Sequence, residues 1–231
     1  MKRTGFTLAE VLIALGIVGV IAALTMPTFV TKTSTAKIGP QLAKAVSGYE
    51  QATKAILNAA ETDSLNAALV CPVGNSNCAP GDRISMISDK KVFLNELSRY
   101  MNGSDKDGSG TNFKLADGTE YQLPSKFRTG QTADSTFPKE VPLATANLSN
   151  AMIIDINGVG TPPDQPGRDQ FFFTMWCDGS LKAVGTNGWD KGAPTASAEL
   201  WSSKCPANTA PTDAKYCAGH IFENGLKVLY K

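Results

Sequence analysis

The feature that most constrains this chain is an apolar segment from Phe6 to Met26, which contains no basic residue and a single acid, Glu10. As an α-helix, about 20 residues with a rise of about 1.5 Å each reach roughly 30 Å, the thickness of a bilayer's hydrocarbon core. Lys2 and Arg3 precede the segment, and the positive-inside rule keeps such residues in the cytoplasm. The sequence therefore predicts one membrane-spanning helix, with the bulk of the chain on the outer side.

A cleaved secretory signal peptide also combines a basic head with an apolar middle. This apolar run is longer than is usual in such peptides, and residues 22–27 fit a small-x-small cleavage site poorly. The sequence instead predicts one nearly continuous helix from residue 6 to about residue 60, perturbed at Pro27 and at Gly39-Pro40. Beyond Pro27, apolar residues recur at helical intervals between polar ones, namely Ile38, Leu42, Ala45, Val46, Tyr49, Ala52, Ile56 and Leu57.

Glu10 is the unusual residue of the apolar segment. On insertion scales a carboxylate at the centre of a membrane helix costs about 2.5–3.5 kcal/mol, so such a residue is a functional hypothesis by default. The alternative is that Glu10 reaches the membrane interface, where a negative charge also suits the start of a helix. Cleavage after Gly5 would create a new α-amine at Phe6. That amine is a natural counter-charge for Glu10, from the same chain or from a neighbouring copy.

The sequence Gly5-Phe6-Thr7-Leu8-Ala9-Glu10, followed by the apolar helix, resembles the processing and methylation motif of type IV prepilins and type II secretion pseudopilins. The resemblance implies that a prepilin peptidase cuts between Gly5 and Phe6 on the cytoplasmic side, and that Phe6 becomes N-methylated. It also implies that Glu10 neutralises the amine of an adjacent subunit in a filament core. An unpaired carboxylate and an unpaired amine are both costly there, so their pairing would set the axial register.

The resemblance further implies an α+β, pilin-like fold. A long N-terminal helix, with a membrane-spanning half and an amphipathic half, would pack on a small antiparallel β-sheet head. Residues 1–5 would be a leader peptide, 6–27 the transmembrane and assembly helix, and 28–60 the amphipathic helix that continues into the head. Residues 61–231 would form the globular α+β head.

By the same resemblance, the chain is a structural subunit, a pseudopilin or pilin-like protein, of a type II secretion or type IV pilus-like filament. Its partners would be other pilin or pseudopilin subunits in a homo- or hetero-oligomeric filament, the prepilin peptidase and an inner-membrane assembly platform. Before assembly it would be a single-pass inner (cytoplasmic) membrane protein with a cytoplasmic N-terminus and a periplasmic or extracellular head. Two alternatives stay open: a surface type IV pilin for adhesion, motility or DNA uptake, and a membrane-anchored extracellular binding domain or enzyme.

Composition argues against two other classes of function. The net charge of +1 and the charged fraction of 19% give no large basic field, so nucleic-acid binding is not indicated. The sequence has a single histidine, His220, and lacks both a Gly-x-Ser-x-Gly motif and a glycine-rich phosphate loop after a strand. A Cys217–His220 dyad is conceivable at i, i+3, but Cys217 is more simply a disulfide partner. We therefore expect no enzyme.

The five cysteines all fall on the predicted outer side of the membrane, where disulfides persist; they are Cys71, Cys78, Cys177, Cys205 and Cys217. Bridges Cys71–Cys78 and Cys205–Cys217 would close short loops and leave Cys177 unpaired. Pairing of Cys177 with Cys205 or Cys217 is equally allowed, and spacing cannot choose. Zinc is disfavoured, since there is no Cys-x-x-Cys pair.

The head pattern predicts a short helix at 88–101, a hairpin of 112–115 with 120–123, and strands at 151–156, 170–177 and 180–184. A helix at 215–223 and a short strand at 226–230 follow. In strand 170–177, alternation puts Phe171 and Phe173 on one face and Phe172 and Trp176 on the other. One face must be core, and the other is covered by the C-terminal segment or contacts a neighbouring subunit.

The loop 155–169 connects two predicted strands and is rich in oxygen ligands and glycine. Ca²⁺ takes six to eight oxygens, and Asp155, Asn157, Asp164 and Asp169 could supply the side-chain share. Major pseudopilins carry calcium in a loop of the head, which adds weight through the resemblance. The alternative is an ordered turn in which these side chains bond their own backbone. The sequence indicates no required cofactor. Calcium is the single cofactor that we consider possible on sequence grounds.

Overall fold

The structure is a computed structural model that describes residues 7–68, 79–82, 84, 90–104, 112–123, 151–158, 160–189, 201–208 and 213–230, with the side chains of 26–34, 90 and 203 left aside. By its internal contacts the chain divides into two compact units, Met1–Lys37 and Ile38–Lys231. The first unit contains the start of one long helix, and the second contains the head.

Helix α1 runs from Leu8 to Ala59, close to the predicted bounds. It continues through Pro27 and Gly39-Pro40, so the predicted perturbations do not interrupt the helix. In its second half one face is buried, which confirms the amphipathic pattern. The buried residues of that face are Leu42, Ala45, Val46, Tyr49, Ala52, Ile56 and Leu57.

Five strands among the described residues form one antiparallel sheet in the order β1-β2-β3-β4-β5. They are β1 Asn112–Lys114, β2 Glu120–Gln122, β3 Ala151–Asp155, β4 Gln170–Met175 and β5 Leu181–Ala183. Each strand therefore pairs with its neighbour along the chain, as in the predicted hairpins. At the centre, Ile153 on β3 is opposite Phe172 on β4.

Both faces of the sheet are covered within the chain. One face joins α1 in the main core, which includes Phe171, Phe173 and Met175. The other face carries Phe172, which packs with Trp189 and Tyr216 in a second, smaller cluster. Of the two possibilities for the second aromatic face, the structure supports cover by the chain itself, from the loop after β5 and from the C-terminal segment.

The remaining elements are short. They are α2 Leu65–Ala68, α3 Lys90–Met101, α4 Trp201–Lys204, a 3-10 turn Ala214–Tyr216 and α5 Cys217–Glu223. The predicted helix 215–223 is thus a 3-10 turn followed by an α-helix. The predicted strand 226–230 is wrong: among the described residues this segment pairs with no strand, and its Leu229 carbonyl accepts a hydrogen bond from the Asn208 N–H of a loop at 2.7 Å. Its alternation of apolar residues reflects packing on the core rather than sheet pairing.

Polar contacts add to the apolar packing that holds the second half of α1 against the sheet, and three of them are shorter than 3 Å. The Tyr121 hydroxyl donates to the Ala45 carbonyl at 2.8 Å, and the buried Thr53 hydroxyl donates to the Gly179 carbonyl at 2.7 Å. Lys44 pairs with Asp117 in the β1–β2 turn at 2.6 Å. Gly179 has a φ of +81°, and a Cβ at this position would come within 2.8 Å of the Thr53 side chain. Only glycine therefore allows this turn to approach the helix.

Candidate functional site

The start of α1 is closed by a reciprocal pair of side chains, Thr7 and Glu10. The Glu10 carboxylate accepts the Thr7 backbone N–H and the Thr7 hydroxyl, both at 2.8 Å, and the Glu10 backbone N–H donates to the Thr7 hydroxyl oxygen at 3.3 Å. This is a capping box, in which two otherwise unpaired donors of a helix start are satisfied. Both bonds to the carboxylate reach one oxygen, Oε2, so Oε1 takes no part in the cap.

The helix beyond this cap presents apolar side chains around its whole circumference. Residues 8–20 are all exposed, and the exposed fraction of Leu8 is 80% and that of Leu24 is 73%. The stretch Leu8–Thr25 is long and apolar enough to cross a membrane. An all-round apolar helix lacks the polar face of a helix that rests on a soluble core, so it needs an apolar solvent or neighbouring helices.

Gly5 and Phe6, the residues at the predicted cleavage site, lie outside the described residues, and their geometry stays a prediction. Glu10 lies in the first turn of α1, one turn into the apolar stretch, where the sequence predicted it. The Thr7 cap was missed by the sequence reasoning, although the Thr-x-x-Glu spacing at a helix start is a recognisable signal for it. The arrangement chemically offers one carboxylate oxygen to a cation in an apolar environment.

The oxygen-rich loop between β3 and β4 is held by its own backbone. Asp155 accepts the N–H groups of Asn157 and Gly158 at 3.1 and 2.7 Å. Asp169 accepts those of Asp164 and Gln165, both at 2.7 Å. Asp164 in turn accepts the Gly160 N–H at 3.1 Å. These contacts are those of the ordered turn that the sequence analysis set against calcium.

Burial raises the pKa of Asp155 to about 6, and the nearby Asp169 charge adds to the effect. Burial also raises the pKa of Asp169. Two amide oxygens close to these carboxylates, Asn157 Oδ1 and Gln170 Oε1, are buried without a hydrogen-bond partner. Within the part of the chain that the structure describes, however, three or more acidic, histidine or cysteine side chains do not converge on a point that could hold a metal. The structure thus brings Asp155 and Asp169 near each other but does not assemble all four predicted ligands.

Cys205 and Cys217 form a disulfide, as one of the open pairings predicted. This bond excludes Cys217 as a thiol nucleophile and removes the Cys217–His220 dyad. Cys177 is also disulfide-bonded, so the expectation that Cys177 stays unpaired is wrong, as is its pairing with Cys205 or Cys217. Cys177 is itself fully buried. Cys71 and Cys78 lie outside the described residues.

The single histidine is a packing residue. His220 is fully buried, and its Nδ1 lies 2.8 Å from the Cys205 carbonyl oxygen, so Nδ1 carries the proton. Its ring makes edge-to-face contacts with Trp201 and Tyr230. Burial lowers the pKa of His220. It therefore serves the C-terminal core as a neutral ring, with no acid or nucleophile shown beside it among the described residues.

Comparison with known proteins adds one finding. Residues 1–26 match the family model described as the prokaryotic N-terminal methylation motif. This is the signature of type IV prepilin-like proteins, and the long apolar helix followed by a small antiparallel sheet is consistent with an α+β pilin-like fold. No curated protein and no solved structure matches the chain. The methylation motif thus covers the helix start, and the head has no counterpart in these comparisons.

Proposed function

We propose that the chain is a structural subunit of a type IV filament system, a pseudopilin or pilin-like component of a type II secretion apparatus. The methylation motif supports a pilin-like or pseudopilin-like protein, and such motifs go with processing by a prepilin peptidase and assembly with other subunits. The observation that carries the proposal is the first turn of α1. There, an acid stands at the start of an apolar stretch, Leu8–Thr25, in which residues 8–20 are all exposed.

In this proposal, the peptidase cuts after Gly5 and Phe6 is N-methylated, with the N-terminus on the cytoplasmic side of the inner membrane and the head outside. The helix then leaves the bilayer and joins a filament core. Glu10 Oε1, which the Thr7 cap leaves unused, would accept a hydrogen bond from the methylated amine of a neighbouring subunit. In an apolar core this pairing removes two uncompensated charges at once, so it favours one axial register.

The test begins with intact-protein and N-terminal peptide mass spectrometry of material from the native membrane. A chain that begins with methylated Phe6 supports the proposal, and a chain that begins at Met1 in cells with an active peptidase contradicts it. A Glu10→Ala variant separates a subunit from a static anchor. We expect it to be inserted and cleaved like the unaltered chain, with at least about tenfold less filament by quantitative immunoblot of sheared material, since an unpaired amine is costly in the core. The matched control is Thr25→Val, at the far end of the same apolar stretch.

The choice of apparatus needs a genetic comparison. If the chain serves type II secretion, its deletion abolishes export of secreted enzymes and leaves surface pili in normal number. The reverse outcome identifies a surface pilin. An anchor that serves neither filament leaves both unchanged, and Glu10→Ala then has no effect on the abundance or activity of the head.

Calcium in the β3–β4 loop stays a prediction that we carry into this proposal. The donors are chemically suitable, because two buried carboxylates share the loop with the unpartnered amide oxygens of Asn157 and Gln170. We expect calcium to raise the melting temperature of the full chain relative to EGTA, and Asp169→Asn to remove that increase. Asp178→Asn, which alters a different turn, is the control. An equal response of both variants contradicts the site.

A further inference from the structure

The C-terminal tail, residues 226–230, lies directly against helix α1. Its first residue, Leu226, has a φ of +64°, and its N–H bonds to the Ile221 carbonyl at 2.8 Å, so the chain reverses sharply after α5. The side chains of Leu226, Val228 and Tyr230 pack on the same core cluster as Leu42 of α1. The tail is therefore fixed by tertiary contacts rather than by sheet pairing.

The approach between tail and helix is closest at Gly39. A Cβ added to Gly39 would collide with the carbonyl group of Leu226, and the Leu226 Cβ would lie only 3.0 Å away. Gly39 is itself buried. The absence of a side chain at this one helical position is thus what lets the backbone of the tail touch the backbone of α1.

This contact falls on the intrinsically weakest turn of the second half of α1. Pro40 has no backbone N–H, so the carbonyl four residues earlier, at Ala36, loses its helical donor, and the proline ring crowds that turn. Gly39 adds the poor helix propensity of glycine. The division between the two compact units, at Lys37 and Ile38, lies within the same turn. Even so, α1 is helical throughout.

The far end of the tail is tied to two loops. The Leu229 carbonyl accepts the Asn208 N–H at 2.7 Å, and the Tyr230 hydroxyl donates to the Gly167 carbonyl at 2.5 Å. The Tyr230 ring also packs edge-to-face on the buried His220. Because both ends of the tail are anchored in the head, its contact with Gly39 is held in place by the disulfide-closed C-terminal region.

We propose that residues 226–230 form a clamp that keeps α1 helical at Gly39-Pro40, so that release of the tail opens this turn of the helix. The residues that make the contact, Gly39 and 226–230, lie in the second compact unit, and the clamp does not depend on filament assembly. It makes the integrity of α1, where it enters the head, conditional on the folding of the last residues of the chain.

The decisive pair of variants is Gly39→Ala and Gly48→Ala in the full chain, solubilised in detergent. Both place alanine, the better helix former, in α1. At Gly48 a Cβ would meet only ordinary contacts, 3.5 Å from Met101 and 3.9 Å from Tyr121. We expect Gly48→Ala to keep or raise the melting temperature, and Gly39→Ala to lower it by about 3 °C or more.

Amide exchange provides a local readout. In Gly39→Ala we expect the amides of residues 41–44 and of the tail to exchange at least about tenfold faster, with β3 and β4 unchanged. Faster exchange in α1 would run against helix propensity, which alone predicts slower exchange after a glycine-to-alanine change. It would therefore report loss of the clamp.

Two further variants check that the tail causes the effect. In a chain that ends at Gly225, Gly39→Ala should become harmless or stabilising, like Gly48→Ala. In full-length Leu226→Gly, whose backbone suits a positive φ and can move aside, the cost of Gly39→Ala should shrink. The proposal is overturned if Gly39→Ala behaves like Gly48→Ala in the full chain, or if its cost and its fast exchange persist undiminished in both tail variants.

Discussion

The two halves of α1 belong to one helix but meet different surroundings. From Leu8 to Thr25 the helix is apolar on every side, and the described part of the chain buries none of this stretch. From Leu42 to Leu57 the same helix buries one face and keeps the opposite face polar. The comparison shows that helix propensity does not distinguish the halves. The halves differ in the surroundings that their side-chain patterns require. The all-round apolar pattern of the first half requires a bilayer or a helix bundle, and the one-sided apolar pattern of the second half requires a sheet to pack against.

The largest difference should appear when a leucine is truncated in each half. Leu42→Ala removes a fully buried side chain, and the resulting cavity should lower the free energy of unfolding of the head by about 2–5 kcal/mol. Leu12→Ala, at a position where 61% of the side chain is exposed, should leave it within about 0.5 kcal/mol. Denaturant unfolding of the full chain in micelles measures both. Equal losses would contradict the separation of the halves.

An introduced charge should disturb the first half of α1 more than the second half, the opposite of the order expected for the leucine truncations. Leu15→Arg places a guanidinium near the middle of the apolar stretch, where insertion costs about 2.5–3.5 kcal/mol. Gln51→Arg, on the exposed face of the second half, should have no effect on insertion. The fraction of chain that resists alkaline extraction from membranes is the measurement. If Leu15→Arg remains fully membrane-embedded, the first half does not span the bilayer as a lone helix.

Two threonines provide a comparison at the level of single hydrogen bonds. Thr53→Val keeps the shape but leaves the buried Gly179 carbonyl without its 2.7 Å donor, which should cost about 1–3 kcal/mol of head stability. The Thr25 hydroxyl bonds the Ile21 carbonyl of its own helix at 2.9 Å, so Thr25→Val should be close to neutral for the head. Thermal unfolding of the two variants compares a contact between elements with one inside a helix.

The smallest effect should come from Lys44, which pairs with Asp117 at 2.6 Å although 72% of its side chain is exposed. Lys44→Ala should cost at most about 1 kcal/mol, less at high salt. The hydrogen bond from Lys44 holds the pKa of Asp117 below its usual value. The contribution is therefore present above about pH 4 and is lost as the pH falls through the lowered pKa. A Lys44→Ala penalty that is unchanged at pH 2 would contradict this pairing.

The sequence predicted much of the head because local signals and final structure agree there. The Asp117-Gly118 turn gives the β1–β2 hairpin, and alternation in β4 places Phe172 and Phe173 on opposite faces, as observed. Sequence reasoning failed at the tail. Residues 226–230 alternate like a strand, but Leu226 adopts a left-handed conformation and the segment packs on α1. Alternation of apolar residues indicates that one face of a segment is buried, but it does not indicate whether a strand or a helix covers that face.

The cysteines show the same limit. Spacing could not choose among the pairings, and the structure decided for Cys205–Cys217, whose members are 12 residues apart. Cys177, two residues after the end of β4, is disulfide-bonded as well, which none of the pairings considered from the sequence provided for once Cys205 and Cys217 are joined. We expect peptide mapping to join Cys177 to Cys71 or Cys78 and to leave one thiol.

By itself, the sequence determined the membrane-compatible helix, the acid at its start and the methylation motif, because these depend on composition and spacing along one continuous segment. Only the tertiary structure decided that both faces of the sheet are covered, that the loop acids bind their own backbone, and that the tail touches α1 at Gly39. These features join residues far apart in the chain, and their geometry follows from how the elements pack rather than from any local preference.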